Sequence, residues 1–184
     1  MFKGKLWLHQ MVLFGVLGVL VLWSVINKSF VFNISLLWWL LGAMIGFLFV
    51  FLDRIVYGFF SESNGTLSLW IKELFNQKNI PERARLLLAE RYDQKELVMR
   101  SAMFVVVWVV LAFFTATSVA NFFARGFVLG IGTHLMFDLI YDFSKDKERL
   151  DQWFWQIKRT LELEEKFWFV AIAGVVYILL AFNL

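Results

Sequence analysis

The sequence predicts an all-α, polytopic integral membrane protein: about five transmembrane helices with cytoplasmic amphipathic helices between them. Three observations predict it. The 184 residues are 60% hydrophobic and include 22 Phe and 9 Trp, against the roughly 45–50% apolar content of an average soluble domain. Five apolar runs, about 6–26, 34–52, 101–120, 126–143 and 167–184, approach the ~20 residues that a helix needs to cross a hydrocarbon core. The basic residues are distributed unevenly between the segments that separate those runs. The whole chain, 1–184, reads as a single membrane domain, with helical insertions at about 53–100 and 144–166.

The first run follows Lys3 and Lys5 and resembles a signal peptide. It is longer than the ~7–15 residues of a cleavable apolar core and lacks an Ala-x-Ala site, so a retained signal-anchor is expected. Trp7 and Trp168 mark inner boundaries, and Trp23, Trp38 and Trp39 outer ones, as interfacial aromatics do. With five crossings, 16 of the 18 Lys and Arg fall on one side and 2 on the other. The positive-inside rule then puts the N-terminus in the cytoplasm and the C-terminus outside. This bias accounts for the net charge of +3 without a nucleic-acid partner. The expected partner is the lipid bilayer, joined by a membrane-protein partner or a second copy in a homo-oligomer. The absence of Cys excludes disulfides, a thiol nucleophile and a Cys-ligated metal.

Within 53–100, Asn64-Gly65 centres a turn. Thr66 caps a helix with the stripe Leu67, Trp70, Ile71, Leu74 and Phe75, and Pro81 opens a second helix through about Arg91. Asp93-Gln-Lys-Glu96 has the form of a capping box and is expected to start a long helix running straight into the third span. In 144–166, Leu150, Trp153, Phe154, Ile157 and Leu161 share one face. That pattern suits an amphipathic helix lying on the inner leaflet or packed on the other cytoplasmic helices.

The fourth span carries His134, Asp138 and Asp142 four residues apart, hence along one side of a helix. Ionisable groups at membrane depth are costly and mark a candidate site. The second and fourth spans run in the same direction, and each carries a small-xxx-small pair: Gly42 with Gly46, and Gly126 with Gly130. Such faces allow close helix approach in lipid. Asp53 lies about three turns beyond Gly42, on the glycine face, so packing is expected to bring it toward Asp138 and Asp142. Topology puts Arg54, Arg100 and His9 at the same end. Three readings fit. The groups are structural polar residues, or a divalent-metal site of Asp53, His134 and Asp138 with His9 or Asp142, or an intramembrane proton or ion relay. Imidazole and carboxylate donors suit Zn or Mn. There is no phosphate-binding Gly loop, no His-Glu-x-x-His, and no His near Ser61, Ser63 or Ser68.

The stretch Gly130-Ile-Gly-Thr-His134-Leu-Met-Phe-Asp138 resembles the Gly-x-x-Ser-His-x-x-x-Asp motif of the bacterial inner-membrane family of membrane-bound metal-dependent hydrolases, which includes a LexA-regulated type. That family has two earlier marks, Pro-Asp-x-Asp-His and His-Arg-x-x-Thr-His-Ser. Phe51-Leu-Asp53-Arg54 keeps one Asp of the first, and Met99-Arg100-Ser101 keeps the Arg of the second. The Pro, the first Asp and the histidines of both are replaced. The resemblance covers roughly 40–143. It implies a bacterial inner-membrane location and metal binding by Asp53, His134 and Asp138, with Arg100 beside them as a neighbour that, in a hydrolase, would hold an anionic group. The losses make a non-catalytic or unassigned member of the hydrolase-like family the simplest expectation. A metal-dependent hydrolase acting on a lipid or lipid-linked phosphate at the cytoplasmic leaflet competes with it, and an ion or proton conduit is the third reading.

Overall fold

The computed structural model describes residues 3–27, 32–53, 97–145 and 147–184. Helix is the regular secondary structure of these residues, with no strand among them. The elements are α1 (Lys3–Ile26), α2 (Ile34–Phe49), α3 (Ala102–Ser118), α4 (Phe122–Lys145), α5 (Lys147–Gln152) and α6 (Leu163–Ala181). The helices expected at 66–75 and 81–91, and the cap at Asp93, lie outside the described residues.

Caps set several of the helix starts. Asn33 Oδ1 accepts from the Ser35 and Leu36 amides at 3.0 and 3.3 Å, and Asn121 Oδ1 from those of Phe123 and Ala124 at 2.9 and 3.3 Å. At α6, Glu165 reaches back to the Glu162 amide at 3.0 Å. Each bond satisfies amides that a helix start leaves without an intrahelical carbonyl.

α4 is the axis of the bundle. Its residues Leu129, His134, Leu135, Asp138 and Leu139 are fully buried. α2 packs on it through the glycine faces, in the parallel sense that charge counting implied. A methyl group on Gly42 would collide with the Phe123 carbonyl, and one on Gly46 with that of Phe127. From the other side, one on Gly126 would strike the Trp39 carbonyl and one on Gly130 that of Ala43. The partners advance together along both helices, which fixes the parallel register.

The remaining long helices run antiparallel to α4. On α1, His9 meets Asp138, while Trp23 lies against Phe182 at the opposite end. On α3, Trp108 Nε1 donates to the Val128 carbonyl at 2.9 Å, and its ring fills the space that Gly132 leaves. On α6, Phe167 faces Phe143, and Tyr177 shares a 2.8 Å hydroxyl hydrogen bond with Thr133. Trp108 and Tyr177 also touch, at 5.8 Å between ring centroids.

Two helical segments, Leu8–Ile26 and Phe122–Lys145, are long and apolar enough to cross a membrane. α2 and α3 are apolar but shorter, at 16 and 17 residues. The outer surface of the bundle is apolar too. α3 buries Val105, Trp108, Ala112 and Thr115 on one face, yet exposes Val106, Val110, Phe113 and Phe114 on others.

Two local expectations need correction. The third long helix is not continuous with the segment before it. Residues 97–101 are non-helical, and Ser101 caps α3 by accepting from the Phe104 amide at 3.2 Å while donating to the Val98 carbonyl at 2.7 Å. Nor is 144–166 one amphipathic helix. α5 ends at Gln152, turns follow, and Trp153 and Phe154 are buried in the bundle while Ile157 is exposed. The Trp153 carbonyl accepts from the Ala102 amide at 2.7 Å, and its indole donates to Asp142 at 3.1 Å. Those two bonds draw the chain inward.

Candidate metal centre

The polar groups gather at the end of the bundle where α2 finishes and α1 and α3 begin. His9 on α1, Arg100 ahead of α3, and His134 and Asp138 on α4 are all buried, at 6%, 6%, 0% and 0% relative exposure. Residues four apart on α4 lie one turn above the other, so His134 and Asp138 face the same way. His134 Nε2 lies 3.2 Å from Asp138 Oδ2. The other carboxylate oxygen faces α1, and His9 Nε2 donates to it at 3.1 Å. Arg100 Nη2 donates to Asp138 Oδ2 and supplies its counter-charge within the protein.

His134 is oriented from behind. α2 tightens at its end, so that the Phe51 amide bonds the Leu48 carbonyl at 3.0 Å. The carbonyl of Phe47 belongs to the last turn, whose carbonyls lack the usual intrahelical donor, and it accepts from His134 Nδ1 at 2.7 Å. A carbonyl only accepts, so a proton sits on Nδ1, and in the neutral ring Nε2 presents a lone pair. That Nε2 is buried and makes no hydrogen bond. In that neutral form two acceptors, Nε2 and a carboxylate oxygen, face each other across 3.2 Å; a second proton on Nε2 would make the contact an ion pair. The rings of Phe47 and Phe51 pack against His134 at 4.6 and 4.5 Å, and Phe137 against His9 at 4.3 Å. These walls lower the local dielectric and strengthen every polar interaction inside them.

Ligand atoms of His9, His134 and Asp138 all lie within 4.8 Å of one another, so the three could hold a metal ion. Donors about 2.0–2.2 Å from a tetrahedral ion stand roughly 3.3–3.6 Å apart; His9 and His134 lie 3.1 and 3.2 Å from different oxygens of Asp138, so an ion held by one carboxylate oxygen draws the ring nitrogens in from the present 4.8 Å envelope. The Nδ1 anchor on a backbone carbonyl is the usual outer support of a metal-binding imidazole. The donor set and the unbonded Nε2 both fit a divalent ion.

Of the residues singled out from the sequence, His134, Asp138, His9 and Arg100 converge. Asp53 does not belong to the three-residue group. Its Oδ2 accepts from the Met99 amide at 2.7 Å, which ties the end of α2 to the backbone beside Arg100. Asp142, one turn past Asp138, accepts from Trp153 Nε1. Asp53 and Asp142 therefore brace the segments that carry and close the site. The sequence contained no sign of the Phe47 carbonyl, because a backbone acceptor has no residue signature. The indole of Trp153 looked like one member of an apolar stripe. The chain matches no family model, no curated protein and no solved structure.

Proposed function

We propose that the chain is a five-span integral membrane protein, with its N-terminus in the cytoplasm and its C-terminus outside, that binds one divalent transition ion, Zn or Mn, through His9, His134 and Asp138. The observation that carries the metal reading is His134 Nε2: buried, without a hydrogen bond, held with its lone pair toward Asp138 by the Phe47 carbonyl. The membrane reading draws support from the alternating helix directions, the 16-to-2 division of basic residues, and an apolar surface around the bundle. A helix that is apolar on all sides suits lipid far better than water.

A bound Zn or Mn would supply a Lewis acid and a water of lowered pKa. The chain's own contributions are separate. Phe47 fixes the His134 tautomer, His9 and Asp138 complete the donor set, and the aromatic rings exclude bulk water. His9 now donates from Nε2; to serve as a ligand it presents that nitrogen deprotonated, its remaining proton on Nδ1. A metal-dependent hydrolase is the second reading. Three protein ligands with an open position are the usual number for a catalytic ion, and the resemblance to membrane-bound hydrolases points the same way. Activity on a lipid or lipid-linked phosphate, lost with the metal, would separate it from the non-catalytic reading.

The direct test is metal analysis of the gently purified full chain. About one equivalent is expected in the wild type, and His134→Ala and His9→Ala are expected to lose it. Protein that is metal-free and takes up no Zn or Mn on addition would end the metal reading. Topology is tested independently. The chain has no Cys, so single replacements such as Asn33→Cys and Lys158→Cys report their side directly through an impermeant maleimide. Labelling of Lys158→Cys from outside would contradict the orientation.

A further inference from the structure

We propose that Arg100 is an internal competitor for the metal and sets the affinity of the site. This inference rests on the metal reading. The guanidinium already occupies Asp138 Oδ2, the oxygen that faces His134 Nε2. An ion seated between His134 and Asp138 therefore meets a resident positive charge on the same carboxylate. Arg100 is buried and always charged, so it cannot leave as a neutral group. Its position is braced on both sides. The Asp53 carboxylate clips the preceding Met99 amide and lies close enough to interact with the guanidinium charge. Ser101, the next residue, is the cap that starts α3.

Metal uptake thus exchanges one cation for another at Asp138: the Arg100–Oδ2 hydrogen bond breaks as the carboxylate turns to the ion. The Asp53 charge keeps the displaced guanidinium partly compensated. The ion pair closes the centre when metal is scarce and yields when it is abundant. The consequence is a site of lower affinity than its donor set alone would give.

The experiment compares wild type, Arg100→Gln and Arg100→Lys by Zn2+ titration against a chromophoric chelator in detergent. Removing the charge is expected to tighten binding by roughly ten- to a hundredfold, since like charges a few ångströms apart in a low-dielectric site repel strongly. Arg100→Lys, which keeps the charge, is expected to stay within about threefold of wild type. If wild type binds and Arg100→Gln binds no tighter, the competitor role is overturned and the metal site stands. If wild type fails to bind while Arg100→Gln binds, the competitor role stands and the metal reading of the native chain fails. If neither binds, both are overturned. Should Arg100→Gln not fold, 15N guanidinium resonances of the wild type decide the matter. The Arg100 signal shifts on Zn2+ addition if the ion pair opens, and a line unmoved at saturating Zn2+ overturns the proposal.

Discussion

Adding one methyl group at Gly130 tests how the α2–α4 contact builds the centre. In Gly130→Ala the new Cβ would run into the Ala43 carbonyl oxygen and lie within 2.7 Å of the Phe47 amide nitrogen. Ordinary heavy-atom contacts lie at about 3.5–4.0 Å, so clearing the Ala43 carbonyl would part the helices by roughly 1.5 Å. Both obstacles are backbone, and no rotamer change relieves them. Overpacking of a core costs about 1–3 kcal/mol. This site belongs at the upper end, near ~3 kcal/mol, because α4 is gripped by α2 along four glycines. Phe47 is also the carbonyl that holds His134, so separation lengthens the 2.7 Å Nδ1 bond and metal affinity falls with stability. Gly15→Ala is the control: its Cβ would meet nothing within 4 Å, and Ala favours a helix over Gly by about 0.8–1 kcal/mol. The assay is thermal or denaturant unfolding in detergent, with Zn2+ titration alongside. A Gly130→Ala protein as stable as Gly15→Ala, with wild-type metal affinity, would refute the close-packing argument.

Other consequences follow from single contacts. Asp138→Asn strands the Arg100 charge in the interior, and breaking a buried pair from one side costs about 3–5 kcal/mol; a loss below ~1 kcal/mol in denaturant unfolding would mean that Arg100 reaches solvent. Tyr177→Phe removes the hydroxyl bond to Thr133 and is expected to cost about 1 kcal/mol; unchanged unfolding would show that Thr133 is satisfied by its own bond to the Leu129 carbonyl. The Arg159 guanidinium beside Glu165 holds the Glu165 carboxyl below its ordinary range. A depressed acid contributes stability above its unfolded pKa and loses it as pH falls through the folded one. Hydrogen exchange in the first turn of α6 should therefore quicken only below the usual carboxylate range, and Arg159→Gln should move that onset to higher pH; an onset that Arg159→Gln leaves in place would contradict the pairing.

The long helices were legible in the sequence because each is an apolar run bounded by polar or aromatic residues. The parallel pairing of α2 with α4 was legible because two glycine pairs at helical spacing leave room for nothing but another backbone. The convergence of His134 and Asp138 followed from their four-residue spacing. The third member of the buried group did not. Periodicity placed Asp53 on the correct face of α2 but said nothing of its depth, and a free amide at Met99 captures it. His9 completes the buried group with His134 and Asp138 instead, and only the packing of α1 across α4 shows that its Nε2 reaches Asp138. Arg100 entered as the anion holder of the hydrolase reading; in the fold its guanidinium is turned inward onto Asp138. Trp153 and Phe154 had the spacing of a membrane-surface stripe. Asp142 and the α3 amide at Ala102 draw them inward through long-range bonds that no local pattern encodes.

Zn K-edge X-ray absorption on the purified protein, loaded with one equivalent and washed, tests the central claim most directly. Imidazole rings leave a distinctive multiple-scattering pattern, so the ligands can be counted. The account predicts two imidazoles and one carboxylate oxygen at about 2.0–2.2 Å, and no bound metal to measure in His9→Ala. A washed protein that retains no metal, or a spectrum with no imidazole scattering, would contradict a centre built from His9, His134 and Asp138.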